Sequence, residues 1–321
     1  MGAVSRRAFV VGGFWALAAA TGAGAGLEVL AHQARRLASP SSAPKSAASD
    51  AAATAGPVAG VGPGGNAVPG AHPAGAPGQA APWPTPVPGH VPPDGFTLIV
   101  PVLMYHRIVP PEEAGDSLPG LVVDPTLFAA QLGALRAAGW RTVTVAQLAH
   151  ALQFGRPLAP RTLAISIDDG WDDGYIHALP ALQQAGFAAT YYVIGRRIGA
   201  GSFLSAAHLR ALVAAGMEVG DHTFDHLALP ALSGTRQAYE IAAASARIAD
   251  VLGHAPVTFS YPAGAFDPAV EEAVQEAGFG LAVTTEEGAV QTWAGRFSAP
   301  RVRVSPSMSP TTVVATLERW A

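Results

Sequence analysis

Four carboxylates fall within six positions of the stretch ISIDDGWDDGY, Ile165 to Tyr175: Asp168, Asp169, Asp172 and Asp173. Adjacent like charges repel, and setting them at the end of an apolar run raises their pKa values. A bound cation or a proton-transfer task would make the arrangement worth keeping. A second stretch, GDHTFDHLAL, places His222 and His226 four residues apart, with both imidazoles on one side of a helical turn. The chain has no cysteine, so a metal site can draw only on His, Asp and Glu. Neutral imidazoles and a carboxylate are the ligands a zinc-type ion takes without thiolates, and three of them leave a position open for water. H-x-x-x-H alone arises by chance on surface helices; its weight here comes from the Asp-Asp pair elsewhere.

These groups need elements to bring them together. FTLIVPVLMYH reads as one apolar strand ending at His106. Residues 125–138 carry apolar positions at helical spacing, with Asp124 as N-cap and Gly139 as stop. WRTVTV is a strand before a short helix from Ala146, and Thr162–Ile167 is the strand that delivers the aspartates. Helix Tyr175–Ala185, strand 188–194, helix 205–215, strand 217–220 and helix 235–252 follow. Strand 257–260, helix 268–277, strands 280–284 and 301–304, and a helix from Pro310 complete the series. Strands alternating with helices of this length call for parallel βα units. About eight of them fit a barrel better than an open sheet, which rhythm alone does not exclude. In such folds chemistry collects at the C-terminal strand ends, where His106, Asp168, Asp169, Asp221, His222 and Tyr261 all fall.

The remaining sequence sets the context. Residues 1–36 hold paired arginines, Arg6 and Arg7, and an uncharged stretch from Ala8 to Leu27. SRRAFV resembles the twin-arginine export signal of bacteria; an ordinary Sec signal or an uncleaved anchor is the other reading. Residues 37–95 are Ala-, Pro-, Gly- and Ser-rich, too poor in large apolar groups to offset ordering entropy, and read as a disordered spacer. The folded domain is expected over 96–321, in an extracytoplasmic protein that meets a membrane only through an uncleaved N-terminal segment. From Phe96 onward 14 Arg face 20 Asp plus Glu, a net charge of −6, which excludes the basic stripe of a nucleic-acid binder.

SIDDG, HTFDH and FSYPAGAFD, in this order, are similar to the three main motifs of the polysaccharide deacetylases, the NodB-homology or carbohydrate esterase family 4 enzymes. The resemblance runs from about Val100 to Val304. It implies an irregular (β/α) barrel of about seven strands, an acetylated polysaccharide as substrate, and one divalent ion, zinc with cobalt or nickel as substitutes. It makes Asp168 the general base, Asp169, His222 and His226 the metal ligands, and the Tyr261 N–H an oxyanion donor. The common late histidine is missing, since none follows His254. The early Tyr-His of VPVLMYHRI resembles instead the poly-N-acetylglucosamine deacetylase subgroup, which implies His106 as the acid. Such an acid is expected to keep its pKa near or above the working pH.

The third motif departs from the family: Phe259-Ser260 stand where an arginine normally orients the base, so Arg301 and Arg303 of PRVRV are the candidate replacements. Asp221 either supports a metal-binding imidazole or caps the next turn. Asp172 and Asp173 are expected to cap the helix at Tyr175. His150, His177, His208 and His254 read as solvated. Trp171, Phe224 and Trp293 offer faces for sugar rings, with a core role as the default. The same site also suits an O-acetyl esterase on xylan, and the same fold a glycan-binding protein without turnover.

Overall fold

The structure, a computed structural model, describes residues 84–321. The expected export signal and the linker up to residue 83 lie outside the described residues. The strands are β1 Thr97–Ile99, β2 Val102–Tyr105, β3 Arg107–Ile108, β4 Val122–Val123, β5 Arg141–Val143, β6 Thr162–Ile167, β7 Thr190–Val193, β8 Glu218–Asp221, β9 Thr258–Ser260, β10 Leu281–Glu287, β11 Val290–Thr292 and β12 Ala299–Arg303. Helices α1 Pro125–Ala137, α2 Val145–Gln153, α3 Leu179–Ala185, α4 Ala206–Ala214, α5 Gly234–Leu252, α6 Pro268–Glu276 and α7 Pro310–Leu317 alternate with them.

Seven parallel strands close a ring in the order β2, β6, β7, β8, β9, β10, β12 and back to β2, so the barrel implied by the sequence is the fold. Ala164 faces Val102 on one side and Val143 on the other, which puts β5 on the edge of β6 that β7 takes over at Ser166. The expected 96–106 strand is broken at Pro101, which has no N–H for a ladder. Its first part pairs antiparallel with β11, a three-residue strand the sequence rhythm did not reveal.

Alternation along the strands separates two environments. Outward residues such as Leu103, Tyr105, Ile165, Ile167, Tyr191, Val193 and Val219 join Phe128, Leu132, Leu182, Leu209 and Ile248 of the helices in one buried cluster. Inward positions are mixed: Val102, Ala164, Tyr192, Leu281, Val283 and Ala299 form a second apolar cluster, and Ser166, Thr190, Glu218, Thr258, Ser260 and Arg301 are buried with them. Caps fix the helix entries as the sequence suggests. Asp124 accepts from the Thr126 and Leu127 N–H groups at 2.8 and 3.3 Å, and Thr144 with Gln147 forms a capping box on α2.

Two expectations are corrected here. Order starts before Phe96: residues 84–95 strap the outside of α2, where Gln153 accepts from the Val87 N–H and donates to the Val87 carbonyl, at 3.1 and 2.7 Å. His90 stacks on Phe154, and the segment follows the helix rather than the solvent. Asp173 does not cap the following helix. That helix opens with a widened π-turn, Gly174–Ala178, before Pro180, which has no N–H to return to the preceding turn. The Asp173 carboxylate turns away and is buried against Arg107. The turn at Tyr175 and Ile176 is closed instead by the Asp172 backbone carbonyl.

Candidate active site

Two strand ends and the loop after one of them meet at the mouth of the barrel. β6 delivers Asp168 and Asp169, β8 runs into His222, and the loop after it returns His226. The turns are tight. Asp169, Thr223 and His226 have φ of 76°, 62° and 60°, a region that non-glycine residues enter at a cost of order 1–3 kcal/mol each. Gly170 follows at φ 73°, and an added Cβ would meet the Val193 backbone and side chain at 3.1–3.2 Å. The HTFDH loop is held by its own polar groups. The Thr223 hydroxyl accepts from the His226 N–H at 3.0 Å, while Asp225 pairs with Arg196 and Arg236.

Asp169 Oδ1 lies 3.6 Å from His222 Nε2 and 3.4 Å from His226 Nε2, and the two Nε2 atoms are 3.1 Å apart. All three residues are buried, and their ligand atoms converge as a metal-binding set. His222 Nδ1 donates to the Ser260 carbonyl at 2.7 Å, which fixes the tautomer with the Nε2 lone pair facing its neighbours. Two imidazole lone pairs and a carboxylate oxygen aimed at one point suit a cation, so the donor set fits the divalent ion implied by the motifs. Burial and the neighbouring imidazole hold His226 down at about 4. Burial also lowers His222, but the Asp169 hydrogen bond, the charges of Asp168 and Asp169 and the Ser260 carbonyl together raise it. Asp169 itself is well below the ordinary carboxylate range, because its imidazole partners outweigh its burial.

Asp168 is held differently. Arg301 grips it with two parallel hydrogen bonds, Nη1 to Oδ1 at 2.9 Å and Nη2 to Oδ2 at 2.8 Å. Arg301 is 1% exposed and also donates to the Thr284 carbonyl and the Ser166 hydroxyl. Burial pushes the Asp168 carboxyl up, but the guanidinium, with help from His222 and His106, brings it below its ordinary value. Of the two candidate arginines, Arg301 therefore takes the place that the third motif leaves empty. Arg303 ends exposed, its backbone N–H facing Glu287 at 3.4 Å. His106 Nε2 lies 4.0 Å from Asp168 Oδ2, on the same face of the mouth. Its pKa is lowered, contrary to the expectation for an acid: burial outweighs the two aspartates, and Arg301 and Arg303 add to the fall.

The other candidates sort plainly. Asp221 caps the turn: it accepts from the Thr223 N–H at 2.8 Å and the Ser245 hydroxyl at 2.9 Å, touches no imidazole, and is pushed by burial to about 7. The Tyr261 N–H donates to the Val283 carbonyl at 3.3 Å as part of the barrel ladder, and its hydroxyl bonds the Phe297 carbonyl, so neither donor faces the mouth. The oxyanion role expected of that amide is not supported by this geometry. His150, His177, His208 and His254 are half-buried rather than solvated, and none joins the cluster. His208 closes a capping box with Ser205 and stacks on Tyr175. Trp293 has its face covered by Arg296, whereas the Trp171 indole N–H donates to the candidate ligand Asp169.

A curated relative matches over most of the domain. The Bacillus subtilis (strain 168) polysaccharide deacetylase-type protein YxkH is 33% identical over 220 residues, 68% of this chain and 76% of its own length. The chain belongs to the polysaccharide deacetylase family. The family model, Polysaccharide deacetylase, matches residues 155–282, which span Asp168 through Tyr261. Among solved structures, the Streptococcus pyogenes deacetylase PplD in complex with acetate is similar at 27% identity and a TM-score of 0.63, covering 68% of this chain and 97% of that one. IcaB from Ammonifex degensii is similar at 28% identity and a TM-score of 0.59, covering 67% and 95%. As a polysaccharide deacetylase the chain is a hydrolase, and Asp168, Asp169, His222 and His226 all lie inside the matched region.

Proposed function

We propose that this polysaccharide deacetylase is exported, depends on a divalent ion, and hydrolyses N-acetyl groups of an N-acetylglucosamine-containing glycan, releasing acetate and leaving free amines. The observation that carries the reading is the pairing of a buried, arginine-clamped Asp168 with three convergent ligand atoms one residue further on. Asp169, His222 and His226 would hold the ion, which when bound would supply Lewis acidity toward the acetyl carbonyl and lower the pKa of a water. Asp168 is the anion at neutral pH and takes the proton of the attacking water. Arg301 keeps that carboxylate charged and oriented, so no reorganisation is needed when the proton arrives. His106, 4.0 Å from the Asp168 oxygen that Arg301 Nη2 also bonds, returns a proton to the leaving nitrogen.

The placement of His106 directly after β2, in the Tyr-His motif that resembles the poly-N-acetylglucosamine deacetylase subgroup, supports an exopolysaccharide of that type over peptidoglycan or chitin. The paired arginines Arg6 and Arg7 support export. Acetate release from a panel of acetylated glycans, with chelator and after adding zinc, cobalt or nickel, tests the whole reading. Chelation is expected to abolish release and the added ions to restore it. Release from acetylated xylan alone would overturn the amide reading, and activity that survives complete metal removal would overturn the ion.

A further inference from the structure

The motif DDGWDD contains two residues the reaction leaves unused, Trp171 and Asp173. The Trp171 indole Nε1–H donates to Asp169 Oδ2 at 3.3 Å, while Oδ1 of the same carboxylate faces the two histidines. The indole is clamped on its faces. Phe203 stacks on it at 4.2 Å between centroids with planes 23° apart, and the Arg107 guanidinium lies 4.2 Å from the ring centroid. Arg107 is in turn held by the buried Asp173 and by the Ser117 hydroxyl at 2.7 Å. The Trp171 backbone pairs with Phe203 as an isolated bridge, so the loop that carries the stacking ring is tied to the motif itself.

We propose that Trp171 is a positioning residue that holds Asp169 as a one-oxygen ligand, with Asp173, Arg107 and Phe203 serving to fix the indole. This rests on the reading that Asp169, His222 and His226 hold an ion. A carboxylate at a left-handed backbone position, with φ 76°, can swing between one- and two-oxygen ligation unless its second oxygen is occupied. The indole N–H occupies it. Being neutral, it orients the carboxylate without competing for the charge that binds the cation, as an arginine at the same place would. The chain Asp173–Arg107–Trp171–Asp169 thus gives the last of the motif's four carboxylates a role.

The test compares the full chain with its Trp171→Phe variant, which keeps the stacked ring and removes only the N–H. Zinc affinity is read by competition with a chromophoric chelator, and the visible spectrum of the cobalt-loaded protein reports ligand geometry. The expected result is a weakening of about 10-fold, at the low end for loss of a hydrogen bond to a metal ligand, with a changed cobalt spectrum. A folded Trp171→Phe protein with wild-type affinity and spectrum would overturn the proposal. If that variant does not fold, Phe203→Leu carries the test: it keeps the donor but loosens the clamp, and a smaller loss of affinity is expected. Unchanged affinity and spectrum in Phe203→Leu would then overturn it. Wild-type protein that binds neither ion would show instead that the metal reading has failed, whatever the variants do.

Discussion

The short strand β8 begins on Glu218 and ends on Asp221, one step before His222, and the carboxylates at the floor and the mouth of the barrel are held by opposite means. Glu218 is fully buried and takes only neutral donors: the Thr258 and Thr190 hydroxyls at 2.5 and 2.8 Å and the Ala146 N–H of α2 at 2.8 Å. Those bonds do not offset desolvation, and its pKa is raised. At the mouth, Asp168 is as deeply buried but faces a guanidinium, and its pKa falls. Burial is common to both ends; a fixed opposite charge is not. Neutral hydrogen bonds bury a carboxyl as a structural strut, whereas a clamped cation keeps it an anion ready to accept a proton.

The largest effect expected of this difference is on turnover. Asp168→Asn should keep its metal, measured by metal analysis, yet lose roughly 10² to 10⁴ in kcat, the usual range for removing a base; metal lost in parallel would mean the two aspartates share the ligand role. His106→Ala should fall at the lower part of that range, roughly 10²-fold, again with metal retained. An acid must be protonated, so activity should decline as pH rises through the His106 pKa. Burial places that limb below the ordinary histidine value, and the variant should lack it.

Arg301→Met attacks the clamp itself. It leaves an uncompensated buried anion, expected to cost about 3–5 kcal/mol in urea unfolding at neutral pH. The sign follows from linkage. With its folded pKa depressed, Asp168 contributes stability that is present above the unfolded carboxylate pKa and lost as pH falls through the folded value. In the variant the loss should therefore be largest at neutral pH and shrink in acid, and the acidic limb of the rate profile should move up by about 1–3 pH units.

Much of this was legible in the sequence, and the remainder was hidden for identifiable reasons. The candidate ligands and base stand out because few residue types do that chemistry and all but His226, which sits in the loop after β8, fall just past strand ends. Arg301 and Arg303 could not be separated, since two residues apart on a strand they face the same way; only their burial in the folded barrel, Arg301 against Asp168 and Arg303 exposed, tells them apart. The Ser260 carbonyl that orients His222 is backbone and leaves no signature. Asp173 read as a cap because its position suits one, and its actual partner, Arg107, lies 66 residues away. The strap over α2 looks like spacer by composition, because it docks through a few hydrogen bonds rather than apolar bulk.

The smaller predictions probe the floor and the outside. Glu218 has a raised folded pKa, so the stability it gives is complete below the unfolded value and fades as pH rises through the folded one. Glu218→Gln removes that ionisation, and its amide can serve Thr258, whose hydroxyl is free to rotate. Unfolding midpoints at pH 5 and pH 8 should then converge, with a gain in stability at pH 8 and unchanged acetate release; a matching loss of activity would show that the floor and the mouth are coupled. Gln153→Ala should do least, freeing residues 84–95 to limited proteolysis while turnover stays at the wild-type level.

The ring closes where β12 meets β2, so the final barrel strand lies beside the first. A ribosome releases this chain with Asp168, Asp169, His222 and His226 exposed to the cell well before Arg301 has been made. Until β12 docks, Asp168 has no Arg301 guanidinium and the ring has a gap between β10 and β2. On the proposed mechanism, closing the wall and supplying the counter-charge of the base are then a single late event, and a chain that stalls short of β12 is expected to be inactive. In refolding experiments, ion uptake should run ahead of the return of acetate release.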